Sequence, residues 1–325
     1  MKREQGSSDP NGSSARRTEP ARICDYEGSP YRSEFWDEAD RGFEDAAERA
    51  ALDRMLPPTG VRIVEIGAGF GRLADLYRGY DEIILLDYAH SMLIDAHSRI
   101  AGANEADTVG TAPKFRFVCA DLYRLPFASS ALDTVVQIRV LHHVEQVPRA
   151  LAEVARVLAA GGNYVLEFAN KRNLKALLRY ALRKQSERPF DHRPHEFVEL
   201  NWNFHPDYVA QALREAGLEP HQQRAVSHFR HPALKRSIGS QLLARADAAI
   251  GGPLARLALA PSQFVRSIKG TGGPRSDRLW RCPKCGAEPL AETAEGVPCT
   301  GCGMFWPKIG GIYIFREDAI SAAGQ

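Results

Sequence analysis

Three glycines and three carboxylates are the residues best placed to do chemistry in this sequence. Gly67, Gly69 and Gly71 follow the apolar run of Ile63, Val64 and Ile66 in Val61-Arg-Ile-Val-Glu-Ile-Gly-Ala-Gly-Phe-Gly-Arg72. Glycines there let the backbone bend sharply and approach a ligand closely. A helix is expected from Arg72, its N-terminal amides facing the bend. Strand, glycine turn and helix in that order make a nucleotide-cofactor cradle. A dinucleotide fingerprint needs glycine at its first, third and sixth positions; here the sixth is Arg72 and glycine falls at the fifth. The run Glu82-Ile-Ile-Leu-Leu-Asp87 ends in a carboxylate 22 residues after Glu65. Asp87 at a strand tip can accept two ribose hydroxyls, or cap a helix starting near Ala89. Asp121 closes Phe115-Arg-Phe-Val-Cys-Ala-Asp121 in the same manner.

A second constellation lies near the C-terminus. Cys282-Pro-Lys-Cys285 is separated by thirteen residues from Cys299-Thr-Gly-Cys302. Four thiolates at this spacing satisfy a tetrahedral zinc ion and leave no open position, so a structural metal is expected. Cys24 and Cys119 stand apart. Cysteines used this way suit a reducing compartment, and a cytoplasmic location is the expectation.

The elements that must position these groups follow from pattern. Apolar runs at 61–66, 82–87, 115–121, 132–138 and 164–168 alternate with helical segments at 91–100 and 150–158, joined by short connections. That alternation builds a mostly parallel sheet with helices on both faces, and such sheets bind ligands at their carboxyl edge. Glu65, Asp87, Asp121 and Arg139 all fall at that edge. A helix at 43–56 precedes the first strand and stops at Pro57-Pro58. Later helices are expected at 206–217, 240–250 and 254–260, and strands at 224–229 and 263–269. The last should run antiparallel at or near the sheet edge.

The chain has 325 residues and a net charge of +2, so no global attraction to nucleic acid or membrane follows. No apolar run approaches the roughly 20 residues that span a bilayer. The start of the chain has no apolar segment of the signal-peptide kind. Residues 1–22 are expected to be a disordered tail, 23–269 one domain with a core at about 60–170 and a cap at about 171–262, 270–280 a linker, and 281–318 a zinc module.

The motif Glu-x-Gly-x-Gly-x-Gly at 65–71 resembles the first motif of class I S-adenosylmethionine (SAM) methyltransferases, and a carboxylate at Glu65 suits a cofactor with an ammonium group and no pyrophosphate. The resemblance spans about residues 30–170, nearest the group holding the quinone-biosynthesis C-methyltransferases. It implies a Rossmann-like, seven-stranded, mostly parallel α/β fold and a cofactor set of Glu65, Gly67, Ala68, Gly69, Gly71, Asp87, Tyr88, Met92, Asp121, Leu122 and Arg139. In it, Asp121 and the Leu122 amide meet the adenine.

The segment 299–315, with Trp306-Pro307 and Gly310-Gly311-Ile312, resembles the small zinc-binding activator of tRNA, ribosomal-RNA and release-factor methyltransferases. That activator is normally a separate chain. Its usual Tyr-Pro and Asp-Gly-Ile are here Trp-Pro and Gly-Gly-Ile.

Methyl transfer needs the acceptor held in line and, for some acceptors, a base. His142 and His143, just past the fourth strand, are the candidate bases. His195, Trp202 and His205 in the cap are candidate acceptor contacts. Tyr26, Tyr31, Phe35 and Trp36 form either a lid or plain packing. Residues 170–184 read as a basic amphipathic helix whose leucines are expected to pack on the body and leave a solvated basic face; a grip on acceptor phosphates or on a membrane surface is the alternative. The fourth strand leads into Ile138-Arg-Val-Leu in place of an Asn/Asp-Pro-Pro-aromatic turn, which counts against methylation of base amino groups. The expected function is methyl transfer from SAM to a small-molecule or lipid-intermediate acceptor. The alternatives are an RNA or protein methyltransferase served by the zinc module, and a non-catalytic SAM-binding scaffold.

Overall fold

A computed structural model of the chain describes residues 21–30, 41–104 and 113–323. Residues 1–20 of the tail expected at 1–22, and the aromatic residues Tyr31, Phe35 and Trp36, lie outside the described residues; Arg22, expected in that tail, is instead held by Glu145 and Glu196.

Helix α1 (Gly42–Asp53) leads into β1 (Gly60–Ile66), β2 (Tyr80–Asp87), α2 (His90–Asn104), β3 (Lys114–Cys119), β4 (Leu132–Gln137), α3 (Val147–Val157) and β5 (Leu158–Ala169). A cap follows: α4 (Leu174–Ala181) and the hairpin β6 (His195–Val198) with β7 (Asn201–Asn203). Then come α5 (Pro206–Glu215), β8 (Leu218–Val226), α6 (Pro232–Ile238), α7 (Ser240–Gly251) and β9 (Ser262–Lys269). The C-terminal part holds β10 (Gly296–Pro298), β11 (Phe305–Ile309), β12 (Ile312–Ile314) and α8 (Glu317–Ala323).

The main sheet runs β10-β11-β12-β3-β2-β1-β4-β5-β9-β8. Strands β1 to β5 pair in parallel, and β9 is antiparallel to both β5 and β8. The seven strands from β3 to β8 are the expected class I methyltransferase sheet. Strand β1 lies inside it, between β2 and β4, and its side chains are apolar on both faces. Val64 and Ile66 enter one core and Ile63 the other, each at most 2% exposed. Burying each contributes about 1.5–3 kcal/mol. Strand order reverses between β1 and β4, which opens a crevice at their carboxyl ends.

The three C-terminal strands extend the sheet beyond the expected seven. Strand β12 lies parallel to β3, matching Ile312 with Phe117 and Ile314 with Cys119. Trp280 stacks on Phe127 at 6.0 Å and packs against Tyr313 and Phe315. The Arg116 guanidinium, buried on β3, binds Glu82 of β2, Glu292 and Tyr313. The segment expected as a linker is laid along the sheet: Gly273 accepts the Ala160 amide, and Arg62 donates to the carbonyls of Ser276 and Asp277.

Four local expectations need correction. After Arg72 there is no α-helix, only turns and a 3-10 turn over Ala74–Tyr77, because β2 begins at Tyr80 and leaves no room for more. The late strand β8 starts at Leu218; its polar residues alternate outward, so no apolar run marks it. Residues 254–260 hold only a 3-10 turn, Ala255–Leu257. The strand expected at 164–168 begins earlier, at Leu158, so Gly161-Gly162 falls inside β5, which shifts register against β4 between Leu132 and Thr134.

Candidate functional site

The bend after β1 is made by glycines with distinct duties. Gly67 has φ +72°, and a Cβ there would sit 2.1 Å from Val140 Cγ2. At Gly71 a Cβ would press on Leu85 and Ala96, so Gly71 lets the bend pack between β2 and α2 and does not line the cavity. At Gly69, φ +53°, a Cβ would meet nothing within 4 Å and would project into open space. Leu86 O accepts the Gly67 and Ala68 amides, which fixes the loop on β2.

A cavity opens over this bend at the crevice between β1 and β4. Of the expected cofactor residues, Glu65, Gly67, Ala68, Gly69, Asp87, Tyr88, Met92, Leu122 and Arg139 line it. Asp87 at the tip of β2 takes the Gly69 amide on Oδ2 (2.8 Å) and the Ala89 amide on Oδ1 (2.9 Å). Asp87 thus lines the cavity and closes a turn onto Ala89, while the first amides of α2, at His90 and Ser91, go to Glu27 instead. Burial pushes its pKa up to about 6, against the pull of those amides. Glu65 is 3% exposed, and its Oε2 is buried with no hydrogen-bond partner among the described residues. Burial pushes its carboxyl up to about 8, opposed by the Arg72 guanidinium.

Arg139 reaches the cavity wall, but its guanidinium binds Glu48 of α1. Glu48 also takes Arg72 at 2.7 Å, and although burial opposes it, the two guanidiniums hold the carboxylate below its ordinary range. Arg139 thus ties the tip of β4 to α1. Asp121 sits outside the cavity: its carboxylate accepts the Tyr123 amide, and it borders a depression shared with Arg124 and Arg316.

His143 lines the cavity and His142 does not. His143 Nδ1 lies 2.9 Å from Leu200 O, and its Nε2 lies 3.0 Å from the Tyr26 hydroxyl. A carbonyl only accepts, so Nδ1 carries the proton and Nε2 accepts from Tyr26. Burial lowers the pKa of both histidines, so the rings are neutral. None of the cap candidates reaches the cavity. Trp202 is packed into the core, His205 caps α5 by accepting the Asp207 amide, and His195 faces Glu187 at 3.4 Å.

Two contributors lay outside the expected cofactor set, although Tyr26 of the first belongs to the aromatic segment read as a lid or as packing. Residues 21–30 cross the cavity as a strap, with Ile23, Cys24 and Tyr26 in its wall. Glu27 anchors the strap by accepting the amides of His90 and Ser91 at the start of α2, and Arg22 anchors it to Glu145 and Glu196. From the C-terminal part, the Arg316 guanidinium lies 3.3 Å over the Tyr88 ring and donates to Tyr88 O. It also reaches Asp25 of the strap at 3.7 Å.

The four cysteines come together. Sγ separations are 3.8 Å (Cys282–Cys302), 3.5 Å (Cys285–Cys299) and 3.6 Å (Cys299–Cys302). Four sulfurs at ~2.3 Å around a tetrahedral ion stand about 3.8 Å apart, and these three separations match that spacing. Gly286 and Gly303, both at positive φ, turn the chain back after each pair and donate to Cys282 O and Cys299 O.

Residues 64–166 match the family model described as a methyltransferase domain. The chain is 30% identical over 126 residues to the ubiquinone/menaquinone biosynthesis C-methyltransferase UbiE of Paracoccus denitrificans, covering 37% of this chain and 47% of that protein. It is 29% identical over 125 residues to a phosphatidylethanolamine N-methyltransferase of Cereibacter sphaeroides, covering 38% and 59%. The chain spans about half the length of the first of these curated relatives. Among solved structures, a chain from the complex of the Haloferax volcanii Trm112 methyltransferase activator with a methyltransferase aligns at a TM-score of 0.49 and 16% identity, over 74% of this chain and 96% of that one.

Proposed function

We propose that this chain moves a methyl group from S-adenosylmethionine to a small-molecule or lipid-intermediate acceptor. The observation that carries the reading is one cavity holding the open bend at Gly69, the Asp87 carboxylate and the unpartnered oxygen of Glu65. These residues fit the cofactor. An ammonium group gives Glu65 Oε2 the partner it lacks and favours the charged carboxylate. Asp87 keeps lone pairs for ribose hydroxyls beyond the two amides it already accepts. Tyr88, Met92 and Leu122 offer the apolar walls a flat base needs.

The cofactor, when bound, supplies a methyl group on a positively charged sulfur. The chain's part is to hold the acceptor in line and to exclude water, and the strap carrying Ile23, Cys24 and Tyr26 serves both. His143 is the base in this reading. Its Nδ1 proton is committed to Leu200 O, so the lone pair at Nε2 can take a proton through the Tyr26 hydroxyl. The relatives named for ubiquinone/menaquinone biosynthesis and for phosphatidylethanolamine support the acceptor class. The four cysteines hold a zinc ion with a structural role, since four thiolates leave no site for water or substrate.

Calorimetric titration of S-adenosylmethionine into zinc-loaded wild-type protein and an Asp87→Ala variant is the test. Binding in the micromolar range that the variant loses is expected. A folded wild-type protein that takes up no cofactor overturns the reading.

A further inference from the structure

Helix α4 does not bury its leucines. Leu174, Leu178 and Leu182 form one stripe at a spacing of four and are 50%, 54% and 64% exposed. The expectation that they pack on the body is therefore corrected; the half-buried residues on the opposite side of the helix are Ala176, Leu177 and Tyr180. The next segment adds two further exposed rings. Phe190, 58% exposed, meets the Tyr180 ring edge-on at 6.2 Å. Phe197, 51% exposed, lies on the face of β6 opposite Glu196, whose cross-strand neighbour Trp202 is buried.

Positive charge flanks this stripe. Lys175, Arg179 and Arg183 run beside the leucines at the same spacing and are exposed, and Lys184 and Arg188 follow. None of the five pairs with a carboxylate among the described residues. Arg183, Lys184 and Arg188 line one open groove together with Tyr180, Gln185 and Ser186. Three nearby acids are already engaged, Glu187 with Lys171, Asp191 with Arg193 and Glu196 with Arg22, while Glu199 in the hairpin turn is exposed. An exposed leucine stripe bordered by unpaired cations is the pattern of a helix lying in a lipid–water interface, its side chains in the acyl boundary and its cations on headgroup phosphates. Leucines at this exposure find little to contact on a nucleic acid, whose apolar contacts are made mostly by aromatic rings. No helix among the described residues is long and apolar enough to cross a membrane, so any contact made by α4 lies at the surface.

We propose that α4 and the β6–β7 hairpin dock the protein on an anionic lipid surface. The face adjoins the cavity, because His143 bonds the Leu200 carbonyl in the turn of that same hairpin. Docking therefore sets the cavity mouth near the membrane plane. The proposal stands on exposure and charge and does not need the cofactor reading.

Co-sedimentation of the full chain with vesicles is the test. The vesicles are phosphatidylcholine alone or phosphatidylcholine with phosphatidylglycerol, at low and high salt. Binding to the anionic vesicles is expected to fall with salt. It should fall at least about tenfold in Leu178→Ser/Leu182→Ser and in Arg179→Glu/Arg183→Glu. Both pairs are on the surface, and an unchanged melting profile checks the fold. No binding to anionic vesicles overturns the proposal, as does binding that the leucine pair leaves unchanged. Light scattering adds a further refutation: a wild-type dimer that the leucine variant turns into a monomer makes the face a contact between copies. Binding to single-stranded RNA that survives the leucine variant and blocks vesicle capture makes it a nucleic-acid surface. Cofactor titration on the same samples keeps failure of this proposal distinct from failure of the methyltransferase reading.

Discussion

Replacing Glu65 with glutamine should make the ligand-free protein more stable and the cofactor-bound protein weaker. The carboxyl sits at about 8 in the folded protein against an ordinary 4.5, chiefly because it is buried. Between those pH values the folded state holds a proton that the unfolded chain has released. Wild-type stability therefore falls as pH rises through that window, and the loss is complete above it. Each pH unit in the window is worth about 1.4 kcal/mol. Glutamine keeps the shape and never ionises. The variant should match the wild type near pH 4.5, exceed it by about 3 kcal/mol at pH 7, and by about 5 kcal/mol above pH 8. Urea denaturation of zinc-loaded, cofactor-free protein at several pH values measures the difference. Titration with S-adenosylmethionine should show the opposite order, with the variant losing most of its affinity. A stability difference that does not grow with pH refutes the account of Glu65 as a carboxylate whose charged form is disfavoured by burial. Unchanged cofactor affinity refutes its role in binding.

Four further outcomes follow from the same geometry. Gly67→Ala forces a residue at φ +72° against Val140 and should cost about 2–4 kcal/mol in urea denaturation. Gly69→Ala meets no neighbour, so its cost should be about 1–2 kcal/mol, with the larger loss in cofactor affinity. Chelation of zinc, or Cys299→Ser, should lower the melting temperature of the whole chain in one transition, because β12 shares the sheet and Trp280 shares the core; a separate low-temperature transition would count against that coupling. Arg316→Ala releases Tyr88 and one anchor of the strap, and a stacked cation is worth about 0.5–2 kcal/mol. Its cofactor affinity should drop severalfold, and an affinity equal to wild type argues against any contribution of the C-terminal part to the cavity.

Much of the cavity was legible in the sequence because local chemistry fixes it. A glycine bend after a buried strand has few uses, and carboxylates closing successive apolar runs must meet at one sheet edge when the strands are parallel. Asp87, Glu65 and the bend therefore lie where their spacing puts them. The cap residues were misplaced for the same kind of reason in reverse. His195, Trp202 and His205 sit in a loop rich in aromatic and imidazole groups, but their orientation is decided by a hairpin register and a helix cap, which composition does not report. The helix at 174–181 was identified while its exposed side was not, because amphipathic periodicity says that two faces differ and leaves open which one the body covers.

By itself the sequence determined the glycine bend after a buried strand, the run of carboxylates at strand ends and the two cysteine pairs, since each depends on residues near one another in the chain. Tertiary structure alone decided that the zinc-type cysteine cluster belongs to strands joined edge to edge with β3, and that Arg316 clamps Tyr88. It alone brought Tyr26 from the start of the chain to His143 and left the α4 leucines in solvent. These contacts join residues up to 228 positions apart. They rest on backbone edges and shared core volume, and no periodicity along the chain encodes which edge will meet which.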